Sequence, residues 1–200
     1  MKPIILASRS SRRASLLSQL GLKFRILTPT VEETMLFGST EAEIIQQTKQ
    51  NALRKAESVR DLVGEGIIIS GDTVIVTQNF QVFGKPTSSA DALAMLKQLV
   101  GTWHRVLSAV AVASANPVTV SVDHAWTTVS FRKVPLKILR HYVATEEPLG
   151  KAGGYAIQGK GGFLLAQITG SPSAVIGLPL ELVVSLLSKH GVEVWHYWTD

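Results

Sequence analysis

Apolar and polar positions alternate along this chain with two periods, and the switches between them mark its elements. Pro3 to Ala7 is a short apolar run that predicts a strand, closed by a serine-rich turn. Leu16, Leu17 and Leu20 then share one helical face, with Gly21 as the stop and Ser10 or Ser11 as the N-cap. Lys23 to Leu27 predicts a second strand, and Thr28 to Ser39 a loop carrying Glu32 and Glu33. A long helix is predicted from Thr40 to near Gly64, opened by the capping box Thr40/Glu43, with an apolar face from Ile44 through Ala52 and Ala56 to Val63.

Gly66 to Ser70 holds three consecutive isoleucines, the pattern of a strand covered on both faces. Gly71-Asp72-Thr73 follows before a second β-rich run, Val74 to Thr77, which predicts a strand kink at Asp72. Gln78 to Gln81 reads as a hairpin turn, and Gly84-Lys85-Pro86 leads into a helix from Ser88 to Val100. Trp103–Ala113 and Thr119–Phe131 predict long antiparallel strands joined at Asn116-Pro117; the apolar parity changes between Trp126 and Val129, which predicts a bulge. A helix from Pro135 to Ala144, a glycine-rich stretch from Gly150 to Gly162 and a strand from Phe163 to Ile168 follow. The chain then reads as a loop from Gly170 to Gly177, a helix from Pro179 to His190 and a last strand near Val192 to Tyr197. With no internal repeat and no linker, the reading is one α/β domain over residues 1–200, built on a long, twisted, mixed sheet.

Composition narrows the chemistry. The 200 residues are 46% hydrophobic and 18% charged, enough apolar material for a core. No cysteine occurs, so disulfides, thiolate metal sites and a cysteine nucleophile are excluded. The apolar run at the N-terminus is too short for a signal peptide, and Phe163–Leu187 is interrupted by Gly170, Pro172, Gly177, Pro179 and Glu181. The expectation is a cytoplasmic protein with no membrane partner. The net charge of +5 points to an anionic partner. The dense basic cluster is only Arg9, Arg12 and Arg13, so a small phosphorylated ligand is expected and a stable nucleic-acid partner is not.

Several motifs fail. Gly154 to Lys160 matches the first seven places of a P-loop, but Gly161 stands where a Mg²⁺-binding hydroxyl is needed and no clear strand precedes it. His104, His124, His141, His190 and His196 form no metal-spaced pair, and no serine-hydrolase elbow occurs. His104 stands out for opening a strand opposite the expected cleft. A dispersed constellation survives: Arg12 and Arg13 at a helix N-terminus suit phosphate oxygens, and Lys55 and Lys85 can add point charges. Glu32, Glu33 and Asp72 offer hard oxygen ligands for a divalent ion. An aspartate directly after Ile-Ile-Ile-Ser-Gly is costly unless paired or metal-bound, which makes Asp72 the strongest single candidate.

These motifs, in order, resemble the Maf family of nucleotide pyrophosphatases over almost the whole chain. Ile5-Leu-Ala-Ser-Arg-Ser-Ser-Arg-Arg13 resembles its opening signature, Asn51-Ala-Leu-Arg-Lys-Ala56 its helix motif, and Ser70-Gly-Asp-Thr-Val74 its acidic strand. Gly84-Lys-Pro86, Thr128-Val-Ser-Phe-Arg132, Lys151-Ala-Gly-Gly-Tyr-Ala-Ile-Gln-Gly159 and Gly177-Leu-Pro-Leu180 resemble the later ones. The form of the Lys151–Gly159 segment is similar to the branch that prefers dTTP and UTP. Ser11, Gly150 and Ala174 depart from the usual proline, aspartate and asparagine.

The resemblance implies a sheet flanked by helices in two lobes around a central cleft, as in inosine triphosphatases. It implies that Ser8, Arg12, Arg13, Lys55 and Lys85 hold phosphate, that Gln158 shapes the substrate site, and that Glu33 and Asp72 handle Mg²⁺ (or Mn²⁺) and the attacking water, with Asp72 the general base. The expected reaction is metal-assisted attack of water at the α-phosphorus, releasing a monophosphate and pyrophosphate. The alternatives are a house-cleaning pyrophosphatase for other non-standard nucleotides and a non-catalytic nucleotide-binding regulator of cell division, linked to septum formation. A homodimer is expected from the resemblance alone.

Overall fold

In the computed structural model, which describes residues 2–31 and 40–198, the central strand is covered on both faces and runs past the end of its parallel neighbour. The elements are β1 (Ile4–Ala7), α1 (Ser11–Gln19), β2 (Phe24–Leu27), α2 (Glu41–Glu57), β3 (Ile67–Val76), β4 (Val82–Phe83) and α3 (Ser89–Leu99). Then come β5 (Trp103–Ser114), β6 (Thr119–Phe131), α4 (Leu136–Val143), β7 (Leu165–Thr169), α5 (Pro172–Ile176) and α6 (Leu180–Lys189). Among the described residues the strands form a seven-stranded mixed sheet in the order β2-β1-β3-β5-β6-β7, with β4 also on β3. β1 is parallel to β2 and β3, and the remaining pairs are antiparallel.

Side chains of a strand alternate between faces, so β3 feeds two layers. Ile67 and Ile69 pack with Leu16 and Leu17 of α1 and Val183 and Leu187 of α6. Ile68, on the opposite face, packs with Ala52, Ala56 and Val59 from the α2 side. Farther along the α1/α6 face a separate core begins: Ile75 and Val106 join Leu96 and Leu99 of α3, Leu139 and Tyr142 of α4, and Phe131 and Tyr155. Between these two cores the same face carries Thr73 and Ser108, directly opposite one another on β3 and β5 and bonded at 2.9 Å. The two lobes of the resemblance are therefore two apolar cores on one sheet, separated by a polar waist.

The structure corrects several expectations. β3 is one continuous strand with Asp72 inside it, not a kink, because β5 pairs with every residue from Ile67 to Val76. No bulge lies between Trp126 and Val129, since β5–β6 register is unbroken from Trp103↔Ser130 to Ser114↔Thr119. The apolar parity changes because the covering layer changes sides. Val122 and Trp126 pack toward the α2 face, whereas Val129 and Phe131 face the α3/α4 core. The register shift of β6 comes instead at Ser130/Phe131, against β7.

α2 ends at Glu57, and Val59 and Val63 reach the core through a 3₁₀ turn at Arg60–Leu62. The stretch before β7 is also a 3₁₀ turn, Lys160–Leu164. Gly170–Gly177 contains α5, N-capped by Ser171 with Pro172 in its first turn. The last segment is a 3₁₀ turn, Val194–Tyr197, not a strand: Val194 plugs the α1/α6 core and the Trp198 indole N–H bonds the Leu20 carbonyl at 2.7 Å, serving an orphan carbonyl at the end of α1. No described helix is long and apolar enough to cross a membrane.

Gly66 sets the entry into β3. Its φ is +143°, and a Cβ there would lie 2.7 Å from the Pro3 carbonyl oxygen and 2.8 Å from Ile5 Cδ1. Gly66→Ala is expected to lower stability by about 1–3 kcal/mol through strain and clash, read as a lower urea midpoint at unchanged m-value.

Candidate active site

The cleft opens where β3 loses its neighbour. β1 pairs with β3 only as far as Ile69, and β4 on the same edge begins at Ile75, so Gly71 to Val74 face a gap between two strands. Backbone groups in such a gap need partners from elsewhere. Lys55 Nζ donates to the Gly71 carbonyl at 3.4 Å. The gap continues into a cleft of about 510 Å³, a size that suits a nucleotide-scale ligand.

One wall is the start of α1. Ser10 caps the helix by accepting from the Arg13 N–H at 3.4 Å, and the Ser8 hydroxyl accepts from the Ser10 N–H at 3.1 Å. The N–H groups of a helix start point outward with the dipole behind them, which favours an anion. Arg12 and Arg13 leave this first turn side by side. Burial, and then the charge of Arg13, push the Arg12 pKa down, so a bound anion would relieve the crowding of cations. Arg13 also clamps the waist: Nε donates to the Gly177 carbonyl at 2.8 Å and an Nη to Thr73 Oγ1 at 3.2 Å. Ser108 Oγ donates to the Ala174 carbonyl at 2.7 Å, which anchors α5 to the same polar pair.

The floor is Asp72. It projects from β3 toward α2 with 5% of its surface exposed, where Lys55 Nζ lies 2.7 Å from Oδ1 and Asn51 Nδ2 donates to Oδ2 at 3.2 Å. Asn51 and Lys55 are four residues apart on one helical face, so α2 delivers both donors together. A buried carboxylate without them would be costly, and with them it is held in place in the lining of the cleft.

The opposite wall is Ala152 to Gln158, tied to the Gly84-Lys85-Pro86 turn by the Gly153 N–H to the Gly84 carbonyl at 2.9 Å. Lys85 and Gln158 are exposed at the cleft and Tyr155 is buried behind it. The Tyr155 hydroxyl bonds His104 Nε2 at 2.8 Å, and both rings meet Phe131 edge-on. Burial lowers the His104 pKa to about 4 and raises that of Tyr155. His104 is thus a neutral core residue behind the cleft wall.

The sequence candidates Ser8, Arg12, Arg13, Lys55, Asp72, Lys85 and Gln158 all line this one cleft. Glu32 and Glu33 lie outside the described residues. Lys55 is buried against Asp72, with which it forms an ion pair. Sequence reading missed Asn51, although its spacing to Lys55 was available, and missed Thr73, Ser108 and the Gly177 carbonyl, whose meeting depends on strand register.

With this geometry in place, the chain is identified as a member of a family: it matches the model described as Maf-like protein over residues 3–190, and it belongs to that family. It is 43% identical to a dTTP/UTP pyrophosphatase of Pelotomaculum thermopropionicum, across 97% of this chain and 100% of that one. Similar proteins of the same description from Dictyoglomus turgidum and Moorella thermoacetica are each 40% identical, over 95% and 98% of this chain and 97% and 98% of theirs. A solved Mycobacterium abscessus structure described as nucleoside-triphosphatase / dITP/XTP pyrophosphatase overlaps 66% of this chain and 76% of its own at 18% identity and a TM-score of 0.40.

His104 sets a pH dependence. Its folded pKa, about 4, is below the value near 6.5 of an unfolded histidine, so the unfolded chain binds more protons between those values. Stability contributed by keeping the ring neutral is complete above pH 6.5 and is lost as pH falls toward 4. Relative to His104→Gln, the protein is expected to lose about 1.5 kcal/mol between pH 6.5 and pH 5, checked by urea unfolding of both proteins across that range.

Proposed function

We propose that this protein hydrolyses dTTP and UTP to the nucleoside monophosphate and pyrophosphate. The observation that carries the reading is the cleft itself: a helix start with two arginines on one side, and on the other a buried carboxylate, Asp72, held by Lys55 and Asn51. Near-full-length identity to proteins described as dTTP/UTP pyrophosphatases supports the base class.

Asp72 is the one carboxylate among the described residues of the cleft, and no three acidic or imidazole groups gather there. That donor set fits Mg²⁺, which commonly takes one or two carboxylates and fills the rest of its shell with substrate phosphates and water. Asp72 and Glu33 would hold the ion, which when bound neutralises phosphate charge and lowers the pKa of water.

The chain's own groups do the rest. Ser8, the α1 N-terminus, Arg12, Arg13 and Lys85 bind the triphosphate oxygens and fix the α-phosphorus near Asp72. Asp72 accepts the proton of the attacking water as the new bond to the α-phosphorus forms. The bond from that phosphorus to the bridging oxygen breaks, and pyrophosphate leaves with its charge spread over the arginines. Lys55 keeps Asp72 oriented. Gln158 at the rim offers one donor and one acceptor group to the base. The reading includes a cytoplasmic homodimer, whose oligomeric state light scattering on the purified protein would establish.

Incubation with dTTP, UTP and a panel of modified nucleotides in Mg²⁺ or Mn²⁺ is expected to release pyrophosphate, with dTTP and UTP turned over fastest. In ¹⁸O-water the label should enter the monophosphate; label in pyrophosphate or orthophosphate would overturn attack at the α-phosphorus. Asp72→Asn is expected to cut kcat by about 10²–10⁴-fold while nucleotide still binds, and undiminished turnover would remove Asp72 as the base.

A further inference from the structure

The last part of the cleft wall, Tyr155 to Gln158, lies in no strand or helix; 3₁₀ turns at Ala152–Gly154 and Lys160–Leu164 flank it. Besides the Gly153–Gly84 and Tyr155–His104 bonds, it is held from beyond the cleft, at the end of α4. The Tyr142 hydroxyl accepts from the Ala156 N–H at 3.3 Å and donates to Glu147 Oε1 at 3.1 Å. The same Oε1 accepts the Gly161 N–H at 2.9 Å, and Oε2 accepts the Lys160 N–H at 3.0 Å. Both flanks of Ile157-Gln158 are thus fastened to one carboxylate and one phenol. Glu147 also binds, through its backbone carbonyl, the ammonium of Lys151 at the beginning of the same wall.

The fit leaves no slack. At Gly161 a Cβ would stand 2.5 Å from the Ala156 carbonyl oxygen and against the Tyr142 hydroxyl, and at Gly159 (φ +112°) it would meet Glu147 Oε2 at 2.9 Å. Glu147 itself follows Glu146, which sits at φ 59° in the left-handed region. Burial alone would raise the Glu147 pKa, but the Gly161 and Lys160 N–H groups, Tyr142 and Lys151 outweigh it and bring the pKa down. Tyr142 and Lys151 in turn lie within electrostatic reach of Arg12.

We propose that Glu147 and Tyr142 are positioning residues for the nucleotide: they hold the Ala156–Gln158 wall at the distance from the Arg12/Arg13 helix start at which Gln158 can read the base. This rests on the pyrophosphatase reading and adds to it a pair of residues outside the cleft lining. Because the wall binds substrate and does not touch the water or the α-phosphorus, its loosening weakens ground-state binding and base discrimination and leaves the chemical step in place. Loss of one charge-assisted hydrogen bond is worth about tenfold in affinity.

The test compares wild type, Glu147→Gln and Tyr142→Phe. Glutamine keeps one acceptor and sets an NH₂ group against a backbone N–H; phenylalanine keeps the ring and removes both bonds of the hydroxyl. Each variant is expected to raise KM for dTTP and UTP about tenfold with kcat within about twofold, to narrow the kcat/KM preference for dTTP over dCTP, and to speed amide exchange at Ala156 and Gly161. Glu147→Ala, which keeps no acceptor, should exceed Glu147→Gln in each respect. A kcat loss at unchanged KM, or unchanged KM and selectivity in variants whose peptide exchange has quickened, would overturn the proposal. Should either variant fold poorly, the Kd of a non-hydrolysable α,β-imido dUTP analogue for the folded fraction of the other decides it. Wild type that neither hydrolyses nor binds these nucleotides sinks the functional reading, whereas wild type and variants that bind the analogue equally sink only the positioning role.

Discussion

The constraint from which the site follows is that β3 is covered on both faces and yet outruns its parallel neighbour. From Ile67 to Ile69 its edge is satisfied by β1, and from Ile75 by β4. Between them the edge has to be served by side chains, and a carboxylate placed there must be compensated because water is largely excluded. Lys55 and Asn51 from α2 meet Asp72 on one face. Arg13 from α1 meets Thr73 on the other. A gap of a few residues in a ladder thereby gathers groups from both covering layers at one place.

A polar pair on the same stretch of β3 explains why the molecule has two cores on one face. Apolar packing is continuous only where large side chains face one another, and on β3 and β5 the sequence interrupts it with Thr73 opposite Ser108. That pair, with Arg13 and the carbonyls of Ala174 and Gly177, is a hydrogen-bonded seam between the Leu16/Val183 core and the Leu96/Tyr155 core. A fully satisfied polar network of this sort gives rigidity and fixes a unique arrangement. Rigidity at this waist is what the proposed function needs, since cations that hold a triphosphate have to be preorganised at fixed distances.

The two walls differ in construction. The α1 wall is a capped helix start resting on a buried strand, and its geometry follows from regular backbone hydrogen bonds. The Ala152–Gln158 wall is irregular and is secured by single side chains, Tyr142 and Glu147, and by the Gly153–Gly84 bond. Loops on a rigid scaffold are where specificity varies most readily. Under the proposed function, the division suits a site in which the triphosphate end is common to many nucleotides and the base end distinguishes among them.

Most of the elements were legible in the chain by itself, because their signals are local. The Thr40/Glu43 capping box, Ser10 ahead of Arg13, the isoleucine triplet and the stop at Gly21 each act within a few residues, and the helices and strands they mark are present. Arg12, Arg13, Lys55, Lys85 and Asp72 were also readable as residue types suited to phosphate and metal, whereas Ser8 and Gln158 entered only through the family resemblance. Local signals fail where the deciding partner is distant. The parity change in β6 reflects α2 on one side and α3/α4 on the other, and Val192–Tyr197 alternates like a strand but turns because Val194 and Trp198 close the end of α1. That Lys55 is locked to Asp72, that Arg13 spans to Gly177, and that Glu147 braces Gly161 are contacts across 17, 164 and 14 residues. Spacing along the chain determined which groups this protein possesses; strand register and layer packing, which depend on the whole chain at once, decided which of them meet.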